Sequence, residues 1–155
     1  TEATARGDRL ARLHEDHSNG AVVETVAMPG LADLVERGEI AGERVEATLR
    51  EGLAGPLERG ADQIALGCTH YGFLRPVLRS LIGDAAEVVD AAEPVAQRAR
   101  QQLEEHGVTI PAAAAPEAVR CSSTGDPEQL RATIERLVAA GAALPPTTVL
   151  SEVVM

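Results

Sequence analysis

The sequence predicts a mostly parallel α/β fold, and three observations carry that prediction. Short runs rich in valine and isoleucine alternate with longer amphipathic stretches along nearly the whole chain, which is the pattern of βα units. Glycine, proline and Asn-Gly breaks fall between the runs. One run, residues 62–66, ends in Gly67 and leads directly into Cys68-Thr69-His70 and a helical pattern. In a strand–turn–helix unit of this kind, the carboxyl end of the strand lines the crevice where open α/β sheets bind ligands.

Taken in order, residues 1–6 read as a polar turn and residues 8–17 as a short helix carrying Leu10 and Leu13, closed by Ser18-Asn19-Gly20. Residues 21–27, with Val22, Val23 and Val26, read as a β-strand. Pro29-Gly30 opens a brief helix over residues 31–36, which Gly38 ends. A longer helix spans about residues 42–59 and places Val45, Leu49, Leu53 and Leu57 on one face, with Pro56 ending or kinking it. After the Cys68 unit comes a helix with Leu74, Val77, Leu78 and Leu81, then a strand over residues 86–90. A helix over residues 94–106 is expected to turn Val95, Ala99 and Leu103 inward. Residues 107–117 form a loop, and residues 118–121 a short strand. Gly125-Asp126-Pro127-Glu128 is a helix start, with Asp126 as N-cap, Pro127 in the first helical position and Glu128 in the first turn. That helix carries Leu130, Ile134, Leu137 and Val138, and the tail from Leu144 is expected to fray.

Composition narrows the class. The chain has 155 residues, enough for a substantial core, with Tyr71 and Phe73 as its only aromatics. A formal charge of −10 argues against nucleic acid or an acidic membrane as the main partner. Two distant cysteines make no secreted disulfide framework, no apolar run approaches ~18 residues, and a cytoplasmic protein is expected. The chain starts at Thr1 without methionine, which hints at a fragment.

The candidate chemistry centres on Cys68. A buried cysteine acting as a small hydrophobe is the plain alternative, but Thr69 and His70 beside it argue for a polar site. A helix N-terminus would lower the thiol pKa, and His70 is suited to stabilise a thiolate or relay a proton. His14 and His17 lie three apart on a helix with no third ligand spaced to join them, so a solvated face explains them. Glu36, on composition alone, is a solvated carboxylate. Cys121 is explained by a strand end before a helix cap. No dinucleotide or phosphate-loop pattern is present.

Leu66-Gly67-Cys68-Thr69-His70-Tyr71, preceded by Gly60-Ala61-Asp62, resembles the second-cysteine motif of glutamate racemases. Thr1-Glu2-Ala3-Thr4 resembles that family's Thr-x-x-Thr turn, and Pro29 with Leu34-Val35-Glu36 its Pro…Leu-Val-Glu segment. Leu74-Arg75-Pro76, Asp90 with Glu93, and Thr124-Gly125-Asp126-Pro127-Glu128 fit the segments that follow, so the resemblance covers about residues 1–140. The histidine after Cys-Thr makes the chain resemble glutamate racemases more than aspartate racemases, where an acidic residue is usual.

The resemblance implies two α/β lobes with the substrate between them, no cofactor and no metal, and one cysteine on each lobe. One thiolate removes the α-proton and the opposite thiol returns a proton, since inversion needs a base and an acid on opposite faces. Cys68 is then the cysteine that deprotonates L-glutamate, with His70 assisting it. Thr69, His70 and Thr4 bind substrate, and Glu36 tunes the proton network around His70. A homodimer is implied for the full-length enzyme, with D-glutamate for peptidoglycan as its product. Residues 1–90 correspond to the second lobe, residues 91–145 to the segment returning to the first lobe, and residues 146–155 to a frayed tail.

Three departures accompany the resemblance. Gly72 stands where the family usually has proline, and Met28 where a cysteine often precedes Pro29. The family's Cys-Asn-Thr motif is missing, because Asn19 is the chain's only asparagine. The expectation is therefore the C-terminal portion of a glutamate racemase, lacking the first catalytic cysteine and inactive alone. Two alternatives stand beside it: a non-catalytic binding or regulatory module, and a related racemase or decarboxylase acting on another small acid.

Overall fold

In the computed structural model, which describes residues 7–109 and 118–150, three helices come first, and strand and helix alternate from Gln63 onward. Helix α1 (Asp8–His17) has no buried residue and stands at the periphery. Helices α2 (Leu31–Glu36) and α3 (Glu43–Glu58) precede strand β1 (Gln63–Leu66). A 3-10 turn (Thr69–Leu74) leads into α4 (Arg75–Ile82), strand β2 (Glu87–Asp90) and α5 (Ala92–Glu105). Strand β3 (Val119–Cys121), helix α6 (Pro127–Ala139) and strand β4 (Thr147–Val149) complete the order.

Both strand pairs are parallel. β1 lies beside β2 with Leu66 opposite Asp90, so the two strands end together and present their carboxyl ends on one side. β3 lies beside β4 with Cys121 opposite Val149. Parallel neighbours need a crossover, supplied by the 3-10 turn with α4 in the first pair and by α6 in the second.

The core sits between α2, α3, α4 and the β1–β2 pair. Leu31, Leu34 and Val35 of α2 meet Val45, Leu49 and Leu53 of α3, Val77, Leu78 and Ile82 of α4, and Leu66 and Val88 of the strands. Each such side chain contributes about 1.5–3 kcal/mol when fully buried, so this cluster dominates the stability of the region. Pro56 forgoes its own helical hydrogen bond, and α3 ends two residues later at Glu58. At α6, Asp126 accepts a hydrogen bond from the Glu128 amide at 2.9 Å and Pro127 opens the helix, as the sequence predicts.

Four expectations are corrected. Residues 21–27 form no strand; they run along α3, where Val26 and Met28 pack over Gly52 and Glu24 pairs with Arg59. Valine content alone makes no strand where no other strand pairs with the segment. The inward face expected of the helix after β2 is bare: α5 buries nothing among the described residues, with Val95 65% and Leu103 45% exposed. The periodicity is helical, but burial also needs an opposing surface. Part of the tail expected to fray, Thr147–Val149, is β4, because β-branched Thr147, Thr148 and Val149 find a ladder partner in β3. Finally, the helix carrying Val77 and Leu78 forms where expected, but its N-terminus does not sit beside the Cys68 thiol. The 3-10 turn intervenes, and α4 starts at Arg75-Pro76, where the proline ring is pre-set for a first helical turn.

Candidate active site

Strand β1 delivers Gly67 and Cys68 at the carboxyl end of the sheet. Cys68 is still extended (φ −136°, ψ 135°), and the Tyr71 amide donates to its carbonyl at 3.0 Å. That reversal folds His70 back over the thiol, with Cys68 Sγ 3.6 Å from His70 Nδ1. On the other side of the ring, His70 Nε2 lies 2.6 Å from Glu36 Oε1 at the end of α2. Thiol, imidazole and carboxylate therefore form one continuous chain. With the ring protonated, Nδ1–H donates to a Cys68 thiolate and Nε2–H to Glu36.

The electrostatics follow from that chain. Partial burial pushes the Cys68 thiol up, but the His70 backbone amide, its ring as a hydrogen-bond partner and its charge together outweigh burial, and Cys68 titrates below an ordinary thiol. His70 is raised above an ordinary histidine, first by its hydrogen bond to Glu36 and then by that to Cys68, against the opposing effect of burial. Each ionisation supports the other: a charged ring favours the thiolate, and a thiolate favours the charged ring. A lowered thiol beside a raised imidazole is what a proton-abstracting cysteine requires.

Supporting residues fix the turn. The Tyr71 hydroxyl donates to the Met28 carbonyl at 3.3 Å and ties the turn to the segment entering α2, which carries Glu36. Burial and then the Cys68 charge raise the Tyr71 phenol. Asp90, opposite Leu66 on β2, accepts from the Ala92 amide at 2.9 Å and faces Arg75 at 3.9 Å. A Cβ added at Gly72 would stand 3.1 Å from Asp90 Oδ2, and Gly72 has no positive φ. Space, not backbone freedom, favours glycine there.

Among the residues the sequence singles out, the structure brings Cys68, His70 and Glu36 together, with Thr69 exposed beside them. Thr4 lies outside the described residues. Cys121 is on β3, and both cysteines are free. Among the described residues no group of three or more His, Cys, Asp or Glu side chains is placed to hold a metal ion, so His14 and His17 gain no partner there. Sequence reasoning missed the tie between Tyr71 and Met28; the signal available was a lone tyrosine directly after the Cys68-Thr69-His70 string.

Two concavities lie away from the thiol. One, of about 630 Å³, runs along β2 between α4 and α5 and is lined by Arg75, Arg79, Asp90 and Gln97 among others. The second, of about 230 Å³, lies between α2 and α3 near Arg37 and Arg44. Neither contains Cys68 or His70, so it is the chemistry of the side chains that marks the site.

The fold and site define an α/β protein with a cysteine–histidine–carboxylate chain at the carboxyl end of a parallel strand pair. Its curated relatives are glutamate racemases. The chain is 39% identical over 137 residues to the glutamate racemase of Roseiflexus sp. (strain RS-1), spanning 88% of this chain and 50% of that protein. It is 37% identical over 139 residues to that of Ralstonia nicotianae, spanning 89% of this chain and 49% of the relative. Among solved structures, a glutamate racemase isoform of Bacillus anthracis shares the fold with a TM-score of 0.69 at 22% identity, over 91% of this chain and 51% of the other. The glutamate racemase of Thermus thermophilus, solved in complex with beta-chloro-D-alanine, aligns with a TM-score of 0.66 at 27% identity, over 91% and 52%. No family model matches the chain. The chain spans about half the length of the curated relatives it matches, an extent that fits a C-terminal portion. No helix among the described residues is long and apolar enough to cross a membrane.

Proposed function

We propose that this chain supplies one of the two proton-transfer faces of a cofactor-independent glutamate racemase. The observation that carries the reading is the Cys68–His70–Glu36 chain, with its lowered thiol and raised imidazole. The Cys68 thiolate takes the α-proton of L-glutamate and becomes a thiol, leaving the electron pair on the α-carbon. A thiol on the opposite face then gives up its proton to that carbon, producing D-glutamate and a new thiolate. The reverse direction exchanges the two roles. His70 holds the thiolate in place and Glu36 holds His70 charged. Thr69 and Thr4 contribute hydroxyls toward the substrate.

The opposing thiol belongs to the half of the relatives that this chain does not span. Cys68 and His70 are only partly buried in this chain, which leaves a face for the other half to cover. Abstraction of a proton from carbon is aided by excluding water and by fixed donors around the developing charge. We assign residues 1–90 to the lobe carrying Cys68 and residues 91–145 to the segment reaching the other lobe. The full-length enzyme is proposed to be a cytoplasmic homodimer making D-glutamate for peptidoglycan.

Protection of Cys68 tests the reading in the 155-residue chain. In a Cys121→Ser background, L- or D-glutamate is expected to slow alkylation of Cys68 by iodoacetamide, while L-lysine does not. An alkylation rate that glutamate leaves unchanged in the folded chain contradicts it.

A further inference from the structure

The proton-relay residues all lie before β2, yet one contact reaches them from the far end of the chain. Arg136 on α6 donates from Nε to the backbone carbonyl of Glu36 at 3.3 Å. Glu36 is the last residue of α2, where helical carbonyls lack intrahelical partners and a cation is favoured. A second contact fixes Arg136 itself, whose Nη2 donates to the Thr133 hydroxyl at 2.8 Å.

The backbone around Glu36 is shaped for this approach. Gly38 has φ +79°, and a Cβ there would stand 3.1 Å from Arg136 Cβ and 3.2 Å from the Arg136 carbonyl oxygen. Gly38 thus serves both a left-handed backbone and a close helix approach. Next to Arg136, Leu137 is buried in the same cluster as Leu31, Leu34 and Val35 of α2. Helix α6 is therefore anchored on α2 at the residue that holds His70.

We propose that Arg136 is a positioning residue for the proton relay: by capping the end of α2 it holds Glu36 in hydrogen-bonding reach of His70. This rests on the functional reading above, because it takes the Glu36–His70 bond as part of the proton-transfer machinery.

The test is the titration of His70 in the full 155-residue chain, followed by NMR of its ring proton and assigned with His70→Asn. Loss of positioning and loss of charge move His70 in opposite directions. Removing a nearby cation by itself raises a histidine pKa, whereas loosening the Glu36 bond lowers it. Arg136→Ala is expected to lower the His70 midpoint by about half a unit, roughly a threefold change in its ionisation constant. Arg136→Lys keeps the charge without the guanidinium Nε donor and is expected to lower it as well, by less. Gly38→Ala, which crowds Arg136, is expected to act in the same direction.

Glu36→Gln serves as the reference and should give the largest fall. If Glu36→Gln lowers His70 while Arg136→Ala leaves it unchanged or raises it, the positioning role is overturned and the relay stands. If Glu36→Gln itself leaves His70 unmoved, the relay fails and the inference fails with it. Should Arg136→Ala not fold, Arg136→Lys decides by the same criterion.

Discussion

Residues 31–90 and residues 92–150 are built from the same kinds of element, but they differ in what covers them. The first region closes a core of leucine, isoleucine and valine around α2, α3, α4 and the β1–β2 pair. In the second, α5 buries nothing among the described residues, Val138 of α6 is 51% exposed, and Leu137 joins the main core with only Ala142 and Leu144, partly buried, packed against it among the described residues. Local signals operate equally in both: the Asp126 cap forms as well as any feature of the first region. The difference teaches that helix formation is decided within a segment, whereas burial requires a facing surface. The uncovered faces lie in the segment we assign to the other lobe.

The largest effects should separate the two regions by stability. Leu49→Ala empties a fully enclosed position and is expected to cost about 2–5 kcal/mol in chemical denaturation. The equivalent truncation Leu103→Ala on α5 should fall within about 0.5 kcal/mol of the parent. Equal losses at both positions would erase the contrast.

Association is the next consequence. Exposed Val95 and Leu103 on α5 favour self-association of the chain, to be followed by light scattering. Replacing both by glutamate is expected to return it toward a monomer. A parent chain that is monodisperse and monomeric contradicts this.

Smaller, but specific to the first region, is the pH behaviour of Cys68. Glu36→Gln replaces the charged carboxylate acceptor of His70 by a neutral amide, so His70 falls, less positive charge faces the sulfur, and the Cys68 midpoint moves upward. The signs for stability follow. The His70 contribution is fully present below an ordinary histidine pKa and is lost as pH rises through its raised value. That of Cys68 is present above an ordinary thiol pKa and is lost as pH falls through its lowered value. Both shrink in Glu36→Gln, which the pH dependence of Cys68 alkylation and of thermal unfolding will show. The smallest effect is expected for Gly72→Ala, where the side chain of Asp90 must give by a few tenths of an ångström; a slight upward shift of the same alkylation profile is the readout.

What could be read from the sequence divides along physical lines. Cys68, Thr69 and His70 are contiguous at a strand end, so their proximity needs no tertiary information. Glu36 stands 34 residues earlier and meets His70 only because α2 packs on the 3-10 turn; its role came through the resemblance, since composition alone made it a solvated carboxylate. The helices at Asp8–His17 and Leu31–Glu36 were legible in their full extent because their breaks and caps are local. Residues 21–27 were not, because a valine-rich extended segment becomes a strand only where another strand pairs with it. The contact of Arg136 with Glu36, across 100 residues, leaves no pattern in the sequence at all.

Racemisation itself tests the central claim most directly. Purified alone, the 155-residue chain is expected to form no D-glutamate from L-glutamate. Mixing it with the complementary half of a full-length relative should restore turnover, and Cys68→Ser in the same mixture should abolish it. Turnover by the chain alone at the rate of a full-length racemase, or restoration that survives Cys68→Ser, would contradict the account.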